Sequence, residues 1–314
     1  MKAPVRLAAY GAGLVVAFGG AFGLAGVAVP DSVVTAWAQS SEKGTHGDGH
    51  GGSVQESANE AVNGVSASAD GYALSPVKAP AGTDASGTLS FRILDEAGEP
   101  VTEYTVAHEK DLHLIVVRTD GTHFRHVHPV LDKSTSTWSI PWTWDEAGTY
   151  RAYADFTPAG QDAECVTLTR SVEVAGDYTS VTAEPTRTDE VDGFTVTLDG
   201  DLTAGTTSDL AVTVKRDGEP VTTLEPYLGA FGHLVALREG DLAYLHVHPA
   251  GDEPEPGSTG GPDVGFGAEV PTAGRYLLYL DFQIDGQVHT AQFVVDAVHS
   301  DATQTDEESH SDGH

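Results

Sequence analysis

Gly232 to Pro249 reads GHLVALREGDLAYLHVHP, and Leu112 to Pro129 reads LHLIVVRTDGTHFRHVHP. In both, a His opens an apolar run, a polar turn follows, and the return run ends His-x-His-Pro. His113 precedes His126 and His128 by 13 and 15 positions, and His233 precedes His246 and His248 by the same intervals. Short runs of strand-forming residues around a polar turn predict a β-hairpin in each copy. A loop at Glu239-Gly240 pairs Arg238 with Asp241 and His233 with His246. In the first copy a loop at Thr119-Asp120 pairs His113 with His126, and one at Asp120-Gly121 pairs it with His128. These registers differ by two residues, so three imidazoles share one face in either; a slip of one would separate them.

Working outward, the hairpins belong to a tandem repeat. GTLSFRILDEAGEPV (87–101) parallels DLAVTVKRDGEPV (209–221), and AGTYRAYADF (147–156) parallels AGRYLLYLDF (273–282). Each unit closes with an alternating strand, VTLTRSVEV or VHTAQFVVDA. DEPEPGSTGGPD (252–263) is a surface insertion in the second unit. Many short strands punctuated by Gly, Pro and Asp predict an all-β fold of two immunoglobulin-like β-sandwiches. Asp145-x-x-Gly148-x-Tyr150 matches a tyrosine corner. The expected boundaries are 71–176 for the first repeat, 177–192 for a linker and 193–297 for the second.

The ends differ from this middle. Lys2 and Arg6 precede an uncharged run over residues 7–29, which as a helix reaches about 34 Å. It is long for a cleaved signal, although Ala36-Trp37-Ala38 offers a cleavage site. Residues 1–30 therefore read as a transmembrane anchor or signal segment, with the rest outside the cytoplasm. Residues 31–70 read as a disordered tether carrying His46 and His50, and 298–314 as an acidic tail carrying His299, His310 and His314. Such His-bearing tracts can hold metal loosely. Against 47 acidic residues the chain has 16 basic ones, a net charge of −31. That charge argues against nucleic acid as a partner.

Cys165 is the only cysteine and Met1 the only methionine, so a metal site must use His, carboxylate or water. His113, His126, His128 and His233, His246, His248 form two candidate sites for a divalent transition metal, copper or zinc. Packing of the same imidazoles within the core competes with this, since Ile115, Val117, Val235 and Leu237 share their face. Asp155 and Asp281 are candidate fourth ligands; His108, His123, His289 and Cys165 lack repeat partners. A His₃ metal could also activate water for hydrolysis. However, the sequence offers no Gly-x-Ser-x-Gly, P-loop or His-Glu-x-x-His, and no enzyme is expected.

The segments LGAFGHLVALREGDLAYLHVHP, HLIVV…HVHP and AGTYRAYADFTPAG resemble a family of actinobacterial secreted or membrane-anchored proteins described as heavy-metal-associated. The Gly-Glu-Pro-Val strand more distantly resembles YtkA-like and CopC-like immunoglobulin-type modules. The resemblance implies copper or related metal handling at the cell surface, with a metal transporter or chaperone as partner. The expectation is a membrane-anchored, extracytoplasmic metal-binding protein for buffering, tolerance or delivery. The alternatives are a structural or adhesive module with core histidines, and a His₃-metal hydrolase.

Overall fold

The computed structural model describes residues 63–161, 163–245 and 247–299. The anchor or signal segment, nearly all of the tether, the tail beyond His299 and the candidate ligand His246 lie outside them. Among the described residues there is no helix, so none long and apolar enough to cross a membrane.

The first repeat is a sandwich. One sheet runs β11-β10-β6-β7, built from Val166–Val174, Gly148–Pro158, His113–Arg118 and Arg125–Val127, with β5 (Tyr104–Thr105) also on β10. The facing sheet runs β3-β9-β8, from Gly87–Phe91, Thr137–Trp142 and Val130–Asp132. A small sheet of β1 (Ser68–Ala69), β2 (Tyr72–Leu74) and β4 (Ile93–Leu94) completes it. The second repeat sets β17-β16-β20-β21 (Tyr244–Leu245, His233–Arg238, Gly274–Ile284, Gln287–Ala297) against a larger sheet. That sheet runs β12-β13-β14-β19-β18, from Thr188–Val191, Phe194–Asp199, Thr207–Arg216, Asp263–Glu269 and Val247–Pro249, with β15 (Glu219–Pro220) on β14.

Two strands begin outside the boundaries expected from composition. β12 lies in the stretch read as linker, where the polar Thr-Asp-Glu-Val hides a short edge strand whose Val191 packs on the second core. β1 lies in the stretch read as tether.

Alternation explains most of the strands. β14 and β21 bury every second side chain, as expected where one face meets a core and the other water. The Tyr150 hydroxyl donates to the Glu146 carbonyl at 2.8 Å and that of Tyr276 to the Thr272 carbonyl at 2.7 Å. Each repeat thus has a tyrosine corner, the immunoglobulin-like feature expected from Tyr150.

β6, β10, β16 and β20 behave differently, being buried on both faces along much of their length. Leu114, Val116 and Ala152 point into the first sandwich, and Leu234, Ala236 and Leu278 into the second. Their sequence neighbours Ile115, Val117, Tyr153, Val235, Leu237 and Tyr279 form a third core between the repeats. The two sheets meet face to face, and the seam is nearly two-fold symmetric. Tyr153 donates its hydroxyl to the Leu242 carbonyl at 2.7 Å, and Tyr279 donates to the Gly121 carbonyl at 2.6 Å. Tyr279 also stacks on Phe124 with ring centroids 4.0 Å apart. Gly121 sits at φ +82°, and a Cβ there would come within 2.6 Å of the Leu277 side chain. Glycine is needed both for the turn and for the approach of the repeats.

Candidate metal centre at the seam

The hairpin registers decide which imidazoles meet. In the first repeat Ile115 pairs with His126 and Leu114 with Val127, which continues to His113 opposite His128. This is one of the two registers expected, reached through a three-residue loop, 119–121, closed by the Arg118 amide donating to the Thr122 carbonyl at 2.9 Å, with a one-residue offset near the left-handed His123. In the second, Ala236 pairs with Leu245 and Leu237 with Tyr244. The chain turns through a four-residue loop, 239–242, closed by the Arg238 amide donating to the Ala243 carbonyl at 3.0 Å, and the expected pairing of His233 with His246 is corrected by two residues. The second return strand also leaves its hairpin early. Val247, His248 and Pro249 pair with β19 in the opposite sheet.

The two candidate sites consequently have different fates. His113, His126 and His128 bring one ring nitrogen each to within 4.8 Å of one another. His113 Nδ1 lies 3.0 Å from His126 Nε2 and 3.2 Å from His128 Nε2. His233 joins these three: its ring lies 4.9 Å from that of His126 and 5.8 Å from that of His113, nearly parallel to the latter. His248 is exposed and lines a cleft of about 800 Å³ with Glu164, Asp209 and Glu269. His233 and His248 therefore do not define a second copy of the first trio.

Two imidazoles of the cluster, His113 and His126, are held by partners outside it. The β10 carboxylate Asp155 lies opposite His113 in register, but it accepts from Thr167 at 2.6 Å and Cys165 at 3.2 Å. Asp281, its counterpart on β20, reaches across the seam, its Oδ2 2.8 Å from His126 Nδ1. Its other oxygen accepts from Thr290 at 2.6 Å. His113 Nε2 lies 3.1 Å from the Ala107 carbonyl. Asp281 thus orients a ring, the arrangement that fixes tautomers around bound metals.

Counting protons exposes a deficit. A carbonyl and a carboxylate only accept, so the Ala107 contact takes the His113 Nε2–H and the Asp281 contact takes the His126 Nδ1–H. Three neutral imidazoles supply three N–H groups for four close contacts: Ala107, Asp281 and the two between rings. One pair of lone pairs is left facing at about hydrogen-bond distance. Burial and then the neighbouring His126 pull His113 down to about 4, which disfavours an added proton on that ring. Burial, then His126 and His113, pulls His128 down to about 3. Burial likewise holds His233 well below its usual value, and its Nδ1 is buried without a hydrogen-bond partner. A metal cation is the other way to satisfy facing lone pairs. Nitrogens on a tetrahedral zinc at 2.0–2.1 Å stand roughly 3.3 Å apart, close to the separations found here.

Of the residues set aside for lacking repeat partners, His108 does reach the cluster, its ring 5.7 Å from that of His233 and 6.1 Å from that of His113. His123 pairs with Glu146 and His289 with Asp192, while Cys165 is exposed. Sequence reasoning missed the cross-repeat roles of Asp281 and His233. The available signal was the unbroken apolar run HLIVV and its copy HLVAL, which implies strands covered on both sides.

Among solved structures, the chain is similar to domains 4 and 5 of the S-layer protein SbsC, at 14% identity over 72% of this chain and 97% of that one, TM-score 0.22. Invasin, a bacterial integrin-binding protein, matches at 13% over 73% and 39%, TM-score 0.24. The Escherichia coli adhesin FdeC matches at 16% over 74% and 65%, TM-score 0.22. The sandwich assignment rests on the chain's own strand pairing rather than on these likenesses. A search of curated proteins finds no match. Residues 67–175 and again 189–299 match the family described as Domain of unknown function (DUF8832), and the chain belongs to that family.

Proposed function

We propose that this chain is a non-enzymatic structural module in which two immunoglobulin-like sandwiches act as one stiff body. The observation that carries this reading is the seam, where each repeat buries the outer face of a sheet that would otherwise be exposed. An extracytoplasmic position, with residues 1–30 as membrane anchor or signal segment, is supported by the uncharged run behind Lys2 and Arg6. Calorimetry of the whole chain tests the module: a single cooperative transition covering both repeats is expected. Two resolved transitions in the unmodified protein would show that the repeats do not support each other.

A second reading is favoured by the proton deficit. His113, His126 and His128 would bind Cu(II) or Zn(II) as neutral imidazoles, for buffering, tolerance or delivery to a transporter or chaperone. Either metal at 100 times its Kd should stabilise the fold by about 2.7 kcal/mol. The shift should disappear in His126→Ala/His128→Ala, measured by thermal unfolding with and without chelator. Equal melting temperatures in all conditions would leave the histidines as packing groups.

A further inference from the structure

We propose that the seam holds one divalent metal ion shared by the two repeats, with His113, His126 and His128 as ligands, His233 completing the set and Asp281 orienting His126. The inference rests on the metal-binding reading and alters its stoichiometry and role. Two sites, one per hairpin, are replaced by a single site, and the ion becomes a fastener between domains.

Three observations carry it. First, the three converging nitrogens come from one repeat, but the carboxylate that fixes the tautomer of His126 comes from the other, at 2.8 Å. Its geometry is maintained there by Thr290 and requires the seam to be closed. Second, His233 packs beside the trio from the second repeat with Nδ1 buried and unpartnered. A buried polar nitrogen without a partner is costly, and coordination to an ion would satisfy it. Third, His248 pairs with β19 in the sheet opposite the seam, so the second hairpin does not repeat the first hairpin's trio.

Binding and docking are then linked. An ion held by groups from both repeats favours the closed seam, and a closed seam raises affinity by the same factor. This is a latch at the interface of two domains, responsive to the supply of metal outside the cell.

The test uses the full chain with His46, His50, His299, His310 and His314 changed to Ala, so that terminal imidazoles do not contribute. Zn(II) is titrated calorimetrically, and amide exchange is followed at Ile115, Val117, Val235 and Leu237. One ion per chain is expected, with slower exchange at these seam amides in both repeats. Asp281→Asn and His233→Ala should each weaken binding by about 10–100-fold, the usual effect of removing an orienting partner or peripheral ligand. Thr290→Val, which keeps the Asp281 carboxylate, should weaken it by a smaller factor and serves if either substitution prevents folding. Zn(II) bound by the parent with Asp281→Asn, His233→Ala and Thr290→Val all unaffected would overturn the shared site and leave a first-repeat site standing. Two ions per chain would do the same. No binding at all would remove both the shared site and the metal reading.

Discussion

The two repeats carry the same hairpin and use it differently. Val127 and Val247 occupy equivalent positions, yet Val127 pairs with Leu114 inside the seam sheet while Val247 pairs with Ala268 in the opposite sheet. In the first repeat the strand stays beside β6 long enough to bring His128 to the cluster before β8 crosses over. In the second, Val247–Pro249 already pairs with β19, with the Pro/Gly-rich insertion between the two strands, and the last His goes with it. Identical His spacing therefore does not give identical sites. The connection after the hairpin decides which imidazoles meet.

The seam joins the repeats in one core, and breaking it should have the largest effect. Tyr279→Ala removes a side chain 1% exposed, its stack on Phe124 and its hydrogen bond to Gly121. A loss of about 3–5 kcal/mol is expected from the cavity alone, with separation of the calorimetric transition into two. Truncating the exposed Val106 to Ala should change stability by less than about 0.5 kcal/mol. Similar results for the two variants would mean that the seam is not a core.

Arg118 and Arg238 end equivalent strands and sharpen the contrast. Arg118 and Asp120 are both 2% exposed and joined bidentately, with Glu146 also bound at 2.7 Å. Burial pushes Asp120 up, but hydrogen bonds from Arg118, then Val181 and Thr122, hold it down at about 2. Arg118→Ala strands that buried carboxylate and should cost about 3 kcal/mol. Arg238 pairs with an Asp241 that is 45% exposed, so Arg238→Ala should cost under about 1 kcal/mol. Urea unfolding of the two variants decides it; equal losses would show that burial is not what separates them.

Acid should act through the cluster next. His113 and His128 are neutral when folded, at about 4 and about 3, and recover the usual value near 6.5 on unfolding. Below pH 6.5 the unfolded chain binds more protons, so stability falls as pH falls, and above 6.5 these groups contribute no slope. Between pH 6.5 and 5, before most carboxylates titrate, a loss of about 2 kcal/mol is expected, reduced by about half in His128→Asn. A urea midpoint independent of pH over that interval would be incompatible with buried neutral imidazoles. Because the folded nitrogens are already unprotonated in this interval, Zn(II) should raise stability at every pH in it without changing the slope.

Much of this was legible before any coordinates. Repeated motifs gave the tandem sandwiches, Tyr150 marked its corner, and the parity of the hairpin placed His113, His126 and His128 on one face. What sequence could not supply was the surface facing that side. Ile115, Val117, Val235 and Leu237 lie on the His face, which fits a packed core and a half-buried metal site equally well until the partner sheet is known. The pairing of His126 with Asp281 spans 155 residues, and no local pattern specifies it. The second register failed because the chain turns through a four-residue loop, 239–242, where a two-residue turn at Glu239-Gly240 was expected.

The smallest expected effect lies in the turn that supplies the Ala107 carbonyl to His113. His108 and Glu109 occupy left-handed φ values of 47° and 64°, as do Leu228 and Gly229 at 57° and 81° in the second repeat. Side chains disfavour that region, and the second repeat relieves one of its two positions with glycine while the first does not. Glu109→Gly should therefore stabilise the protein by about 0.5–1 kcal/mol, less than the full strain because glycine also frees the unfolded chain. Gly229→Ala should lose a similar amount. Urea midpoints of both variants measure the pair. If Glu109→Gly is instead less stable than the parent, the Glu109 side chain makes a contact stronger than the strain it causes. The first repeat's turn would then be held for the position of His108 beside His113 and His233.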